Sequence, residues 1–524
     1  MKDKNKSSAN TVISGALSLT VSMLAVKILG VIYKIPLAQF LGEEGMGYFN
    51  SAYTVYSFFY LLCTAGVPKA IMILISEQKV KGRFSEDKIV SCAMRTFLLL
   101  GGAITLLLII FAAPLTSLIG NSHSYATMLA VAPSVLFAAL GGVLRGYYNA
   151  NMSFGEISVS QVIEGAIKLA VGLAFAMIGT HLGLPLPIVS ALTVLGVTFG
   201  ALSAFLYLLI CLKNVNIGKK TRQKLEIKEK THIIKSIFSI SLPITLSSAV
   251  MSISGVVDLA LIMRKLVSSG YSESHAVSLY GNYTTLAMPM FNLAISLITP
   301  ISVTFLPIFA RAHASGDREE EETSLFSSLE LSALISMPLF AGMLTYSRQI
   351  LSLLFGNVGV ELGATLLATL TVAIPLMSSL LIVNSVLEAR GGTGITIFSM
   401  LFGTLFKLVA SYLLLGGSYG IIGAPIGTVI SYLVALISSL LIAKFRYNIS
   451  FPIIKAFARP SVCAILSVSA SMLAYNAIKT LAGNNGALLC AICICGVLYL
   501  GLLRLFGVIS IKKLKEMSKY TKFA

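Results

Sequence analysis

Across 524 residues, 56% are hydrophobic and only 11% are charged, against roughly 25% charged in an average soluble domain. With a mean hydropathy of +0.88, that balance excludes a soluble globular protein and points to a chain that lives in a bilayer. The formal net charge of +18 invites a nucleic-acid partner, which the placement of the charges excludes below.

In chain order, fourteen apolar segments recur, near 11–40, 48–76, 89–113, 125–144, 156–179, 188–211, 237–263, 281–310, 323–345, 362–386, 395–415, 420–443, 461–478 and 487–508. Each suffices to cross about 30 Å of hydrocarbon as a helix, so the predicted fold is an all-α integral membrane protein with 14 transmembrane helices. The opening "MKDKNKSSANTVISG" is basic and no small-residue cleavage site follows, so the first segment reads as a retained helix rather than a signal peptide.

With the N-terminus inside, the segments on that side (the tail, 77–88, 145–155, 212–236, 311–322, 387–394, 444–460 and 509–524) hold 28 of the 39 Lys/Arg, and the outside loops hold Arg264, Lys265, Arg348 and Lys479. The positive-inside rule then predicts both termini in the cytoplasm. The basic balance is topology plus attraction to anionic membrane lipid, with no nucleic-acid partner. The seven cysteines all lie in or beside apolar segments, including "CAICIC" at Cys490, Cys493 and Cys495, and read as packing residues rather than a disulfide framework or a metal site.

Internal repeats organise the chain. Tyr48/Tyr280, Asn50/Asn282 and Pro68/Pro300 share one offset of 232. "APSVLFAALGGVLRG" echoes "IPLMSSLLIVNSVLEARG", and "EGAIKLAVGLAF" echoes "FGTLFKLVASYLL", with Lys168 answering Lys407. The echoes occur in one order, which predicts two pseudo-symmetric six-helix lobes in the same orientation. The domains expected are an N-lobe at 1–211, a basic cytoplasmic linker at 212–236, a C-lobe at 237–443, and a C-terminal helix pair with its tail at 444–524.

No G-x-x-x-x-G-K-[ST] phosphate loop, H-E-x-x-H or nucleophile elbow is present, and the five histidines are scattered, so neither an ATP-driven pump nor an enzyme is expected. Charge inside the apolar segments remains: Lys27, Lys34, Lys69, Arg95, Lys168, Lys407 and Arg504. A cation at the bilayer centre costs at least about 2.5 kcal/mol, so such residues are functional candidates. Arg95 and Arg504 lie near the inner face, where they can snorkel. Glu164 and Lys168, four residues apart, can form a local ion pair or line a cavity. Asp258 and Lys265 share a helix face and can pair near the outer mouth. Lys27 and Lys34 stand seven residues apart on one helix face with no acid beside them, an arrangement suited to a hydrated cavity that attracts anions. Lys407, Lys168 and Arg264 add to that field, and Glu164 and Asp258 are the candidates for ion coupling or pairing.

"LGVIYKIPLAQFLGEEGMGYFNSAYTVYSFFYLLCTAGVPKAI", "LRGYYNANMSFGEISVSQVIE" and "LPIFARAHASGD" resemble the polysaccharide transporters of the multidrug/oligosaccharidyl-lipid/polysaccharide (MOP) flippase superfamily, over essentially the whole chain. Within them the likeness is to the group of stage V sporulation protein B and the Gram-positive lipid II flippases. The resemblance implies a flippase for an undecaprenyl-pyrophosphate-linked cell-wall precursor, such as lipid II, working by alternating access, with a central cavity and a lipid groove at helices 13 and 14. It implies a polyprenyl-pyrophosphate-linked saccharide and membrane lipids as partners, cell-wall synthesis proteins as further ones, no cofactor, and coupling to membrane potential, H⁺ or Na⁺. Cavity arginines of that family fall at Lys27, within one residue of Lys34, near Tyr60 and near Tyr283, so two cations are replaced by phenols here. Asn50 and Asn282 complete the cavity candidates. The alternatives are a cation-coupled multidrug exporter and a non-transporting scaffold for cell-wall assembly.

Overall fold

The computed structural model of the chain describes residues 2–82, 84–214 and 227–508, with side chains from residue 29 onward except 31, 80, 81, 213, 214, 227, 247, 250 and 251. Among these residues the regular structure is helical, with no strand. The chain forms two compact units, residues 1–267 with 271–281 and residues 268–270 with 282–524.

The first unit is built from α1 (Lys2–Thr64), α2 (Val67–Lys81), α3 (Glu86–Ile110), α4 (Ala112–Ile119), α5 (Tyr125–Val131), α6 (Pro133–Ala150), α7 (Phe154–His181), α8 (Leu186–Asn214), α9 (Ile227–Ser268) and α10 (Glu273–Asn282). In the second, a π turn (Tyr283–Ala287) leads into α11 (Met288–Ser315), followed by α12 (Arg318–Phe355), α13 (Val360–Thr371), α14 (Ala373–Ala389), α15 (Thr393–Leu415), α16 (Gly423–Tyr447) and α17 (Ile453–Leu505).

These helices make the fourteen crossings. α1 breaks at Gly42 (φ 63, ψ −171) and α17 at Gly483 (φ 68, ψ 174), so each holds parts of two crossings. A positive φ is open to glycine because it has no Cβ. α5 with α6, α10 with α11, and α13 with α14 are single crossings in two pieces. Prolines start several helices where the amide has no intrahelical partner: Pro68 in α2 and Pro133 in α6. Asp317 caps α12 by accepting from the Glu320 amide at 2.9 Å, and Glu319, Glu320 and Glu321 complement the positive end of the helix dipole.

Where helices pack closely, glycine is required. A Cβ on Gly196 would lie 2.7 Å from the Lys168 carbonyl, and one on Gly200 would lie 2.7 Å from the Glu164 carbonyl, so α7 and α8 touch backbone to backbone. In the second unit Gly403 and Gly427 bring α15 and α16 together in the same way, with Gly427 beside the Lys407 carbonyl. Both repeat-related lysines therefore sit on helices fixed by a close glycine contact. Leu99, Ile110 and Leu413 point outward, the surface a lipid chain would cover. The C-terminal pair in α17 packs on α12: the Tyr346 and Ser471 hydroxyls are 2.9 Å apart, and Tyr499 donates to the Leu334 carbonyl at 3.0 Å.

Two details differ from the sequence reading. The fourth crossing continues to Ala150 rather than ending at 144, because Tyr147 and Tyr148 are buried against the inner part of the first unit. Arg145 therefore lies inside a helix and not in a connecting segment. In the basic stretch, 212–214 close α8 and 227–236 open α9; the residues between them lie outside the described ones. All seven cysteines are free thiols, three of them buried.

Candidate functional site

The site grows from the face that the second half of α1 turns inward. Phe49, Tyr53, Tyr56 and Tyr60 recur at helical spacing, so their rings form a ladder: Phe49 and Tyr53 stack at 6.0 Å, and Tyr53–Tyr56 and Tyr56–Tyr60 are each 5.5 Å apart. Tyr33, from the first crossing, meets Phe49 edge-on at 6.2 Å.

Three cations from three different crossings meet this ladder. Lys34 is half-buried, with its Nζ 3.5 Å from Oδ1 of the buried Asn50. Lys168 on α7 donates to the Tyr53 hydroxyl at 3.3 Å, and its ammonium lies 4.5 Å from the Tyr53 ring centre and 5.7 Å from that of Tyr33. Such cation–π contacts stabilise a desolvated ammonium by about 0.5–2 kcal/mol. Lys34 and Lys168 are near enough for their charges to repel. At the other end of the ladder Arg145, from α6, acts electrostatically on Tyr60 and donates through Nη2 to Glu164 Oε2 at 2.6 Å. The Arg145 Nε and the Gln161 Oε1, one turn before Glu164, are buried with no hydrogen-bond partner.

The sequence candidates thus separate. Lys34, Asn50, Tyr60, Glu164 and Lys168 are brought together. The local Glu164–Lys168 pair is not the arrangement adopted: Glu164 takes Arg145 and Lys168 takes Tyr53, both across helices. Lys27 lies in α1, but its side chain is outside the described residues. Arg264 is exposed and donates through Nε to the Leu118 carbonyl at 2.6 Å, closing the end of α4 away from the ladder. Asp258 is buried on α9.

In the second unit, Tyr283 is buried with its hydroxyl 3.3 Å from Thr428 Oγ1. Lys407 and Tyr283 both act electrostatically on Tyr432, whose ring stacks on Phe291 at 5.9 Å. Asn282 does not repeat the role of Asn50. It is fully buried and donates to the Gly359 carbonyl at 2.7 Å, holding the start of α13.

Arg145 escaped the sequence reading because an apolar window stops at the first charge. The missed signal was aromatic: "GYYNA" after the arginine keeps burying its face for another turn. Arg145 thus brings a cation from the fourth crossing to Tyr60 on the second.

The architecture is the MOP flippase fold. The chain is similar to the solved lipid II flippase MurJ in its inward closed conformation, with a TM-score of 0.72 at 18% sequence identity, covering 93% of this chain and 98% of that one. Residues 12–313 match the polysaccharide biosynthesis protein family, and the chain belongs to that family. Among curated relatives, stage V sporulation protein B of Bacillus subtilis is 24% identical over 460 residues, 85% of this chain and 87% of that protein. The lipid II flippase MurJ of Bacillus subtilis is 20% identical over 471 residues, 85% of each chain.

Proposed function

We propose that this multi-pass membrane protein is a flippase for an undecaprenyl-pyrophosphate-linked cell-wall saccharide, lipid II or a related peptidoglycan precursor. One observation carries the reading: Lys34, Lys168 and Arg145, from three crossings, meet around one tyrosine ladder with Glu164 as the carboxylate at its end. Cations inside a membrane protein are costly to keep without an anion to serve. In this reading the pyrophosphate enters beside Lys34 and Lys168, and the tyrosine faces and hydroxyls accommodate the sugars. The stage V sporulation and lipid II flippase relatives support the substrate class, and the glycine-fixed helices support a pre-formed site.

In the proposed orientation both termini are cytoplasmic, in a bacterial plasma membrane, and transport runs outward by alternating access. Two negative charges moving outward through an inside-negative potential gain about 5 kcal/mol per 100 mV. The potential then serves as the driving force, with Glu164 and Asp258 as coupling candidates for H⁺ or Na⁺. The test is complementation of a Gram-positive host depleted of its lipid II flippase, paired with flipping of labelled lipid II in liposomes. Growth rescue and potential-dependent flipping are expected. Export of a cationic drug without flipping of the lipid would replace this reading by that of a multidrug exporter.

A further inference from the structure

A second polar site lies in the other unit, where α12 ends and α17 turns. A cavity of about 390 Å³ opens there, and all eight residues lining it are polar. Arg348, Gln349 and Ser352 come from the last turns of α12, Tyr475 and Lys479 from the first arm of α17, and Asn484 from just beyond the Gly483 break. No carboxylate lines it. Glu361 pairs with Arg348 from outside the lining, and Lys479 faces the cavity with no acidic residue beside it in the lining.

Two features define the ligand. The cations call for an anionic group. The Gln349 Oε1 is buried without a hydrogen-bond partner, and an acceptor in that condition calls for a hydroxyl or N–H donor, which a bare phosphate diester lacks. The surroundings indicate where such a ligand comes from. Leu473, Leu481 and Leu489, on the two arms of α17, are exposed to 75%, 89% and 55%. Along α17 these leucines flank Tyr475, Lys479 and Asn484, so the helix arms that line the cavity also offer apolar side chains to acyl chains.

We propose that this cavity binds the headgroup of an anionic, hydroxyl-bearing membrane phospholipid of the phosphatidylglycerol type. Lys479 and Arg348 take the phosphate, Gln349 accepts from a glycerol hydroxyl, and the α17 leucines contact the chains. The site is separate from the tyrosine ladder and does not depend on what the chain transports.

The test measures binding of short-chain lipids to the detergent-purified full chain by thermal shift and native mass spectrometry. Dihexanoyl-phosphatidylglycerol should raise Tm, and dihexanoyl-phosphatidylcholine should not. Lys479→Gln should weaken phosphatidylglycerol binding about tenfold, and Lys479→Arg should keep it, which separates charge from misfolding. Gln349→Leu should weaken phosphatidylglycerol about three- to tenfold while leaving dihexanoyl-phosphatidylmethanol, a phosphate diester with no hydroxyl, unchanged. Equal binding of the two dihexanoyl lipids, or full binding by Lys479→Gln, overturns the proposal. So does equal affinity for soluble glycerol 3-phosphate, which would make this a site for a free phosphorylated polyol instead.

Discussion

Arg145 on α6 and Glu164 on α7 form an ion pair of 2.6 Å, with the guanidinium also acting electrostatically on Tyr60 and its Nε left buried and unpartnered. A partly buried pair of this kind is costly to break from one side and cheap to remove whole. Arg145→Gln and Glu164→Gln should each destabilise the purified protein by about 3 kcal/mol, less where water reaches the pair. The double variant should recover most of that loss. If Arg145 also serves the transported anion, the double variant stays defective in flipping at matched abundance. Thermal denaturation with a liposome assay separates the two effects, and a double variant that flips normally would restrict Arg145 to a structural role.

At Lys34 and Lys168, charge should matter more than shape. Lys→Gln at either position is expected to reduce flipping tenfold or more, an effect on the order of 1.4 kcal/mol. Lys→Arg should retain most activity, since a guanidinium still grips a phosphate. For Lys168 the substitution Tyr53→Phe is a useful companion: it removes the 3.3 Å hydrogen bond but keeps the ring under the ammonium, so only a small loss is expected. Equal loss in Lys→Gln and Lys→Arg would point to packing instead.

Asn50 and Asn282 share a place in the sequence repeat but have different partners. Asn50→Ala is expected to lower flipping with little change in Tm, because its amide oxygen faces Lys34. Asn282→Ala removes the bond to the Gly359 carbonyl and should cost about 1–3 kcal/mol of stability. Comparing Tm with transport for both variants checks this; matching behaviour at the two positions would contradict it.

Helix contact through Gly196 predicts a steep steric response. Gly196→Val should sharply reduce folded protein on detergent size-exclusion chromatography, because its Cβ would meet the α7 backbone at 2.7 Å and overpacking costs about 1–3 kcal/mol. Gly102→Ala, where a Cβ meets nothing within 4 Å, is the control and should behave as wild type.

Orientation can be read with thiol labelling. In a cysteine-free background, Ser418→Cys should react with an impermeant maleimide in intact cells and Ser315→Cys only after permeabilisation. Both positions are exposed. Gly120 serves less well, since its φ of +83 strains any side chain. The reverse labelling pattern would invert the proposed topology.

The crossings were legible because each is a long apolar run, and such runs register in composition alone. Partner choice was not. Reasoning along one helix offers Lys168 to Glu164 because they stand four residues apart, whereas the folded chain offers Arg145 from the next helix, nineteen residues away. Lys168 and Lys407, matched in the repeat, both lie on helices packed closely through glycine. It did not carry over to Asn282, whose surroundings depend on the start of α13. The hinges at Gly42 and Gly483 were hidden because many glycines in the chain lie in ordinary helix.

The π turn at Tyr283–Ala287 bears on insertions and deletions. Asn50 to Pro68 and Asn282 to Pro300 span the same number of residues, but only the latter stretch contains the wide turn; the former contains the gap between α1 and α2. A π turn accommodates about one residue beyond a regular helical turn. Removing one residue from 283–287 would therefore leave a smooth α-helix while turning everything after it by about 100° relative to what precedes it. Met290, Phe291 and Ala294, all buried on α11, would swing off their present neighbours. Equal spacing in the repeat thus conceals unequal angular phase, and a length change here acts as a rotation of the downstream face.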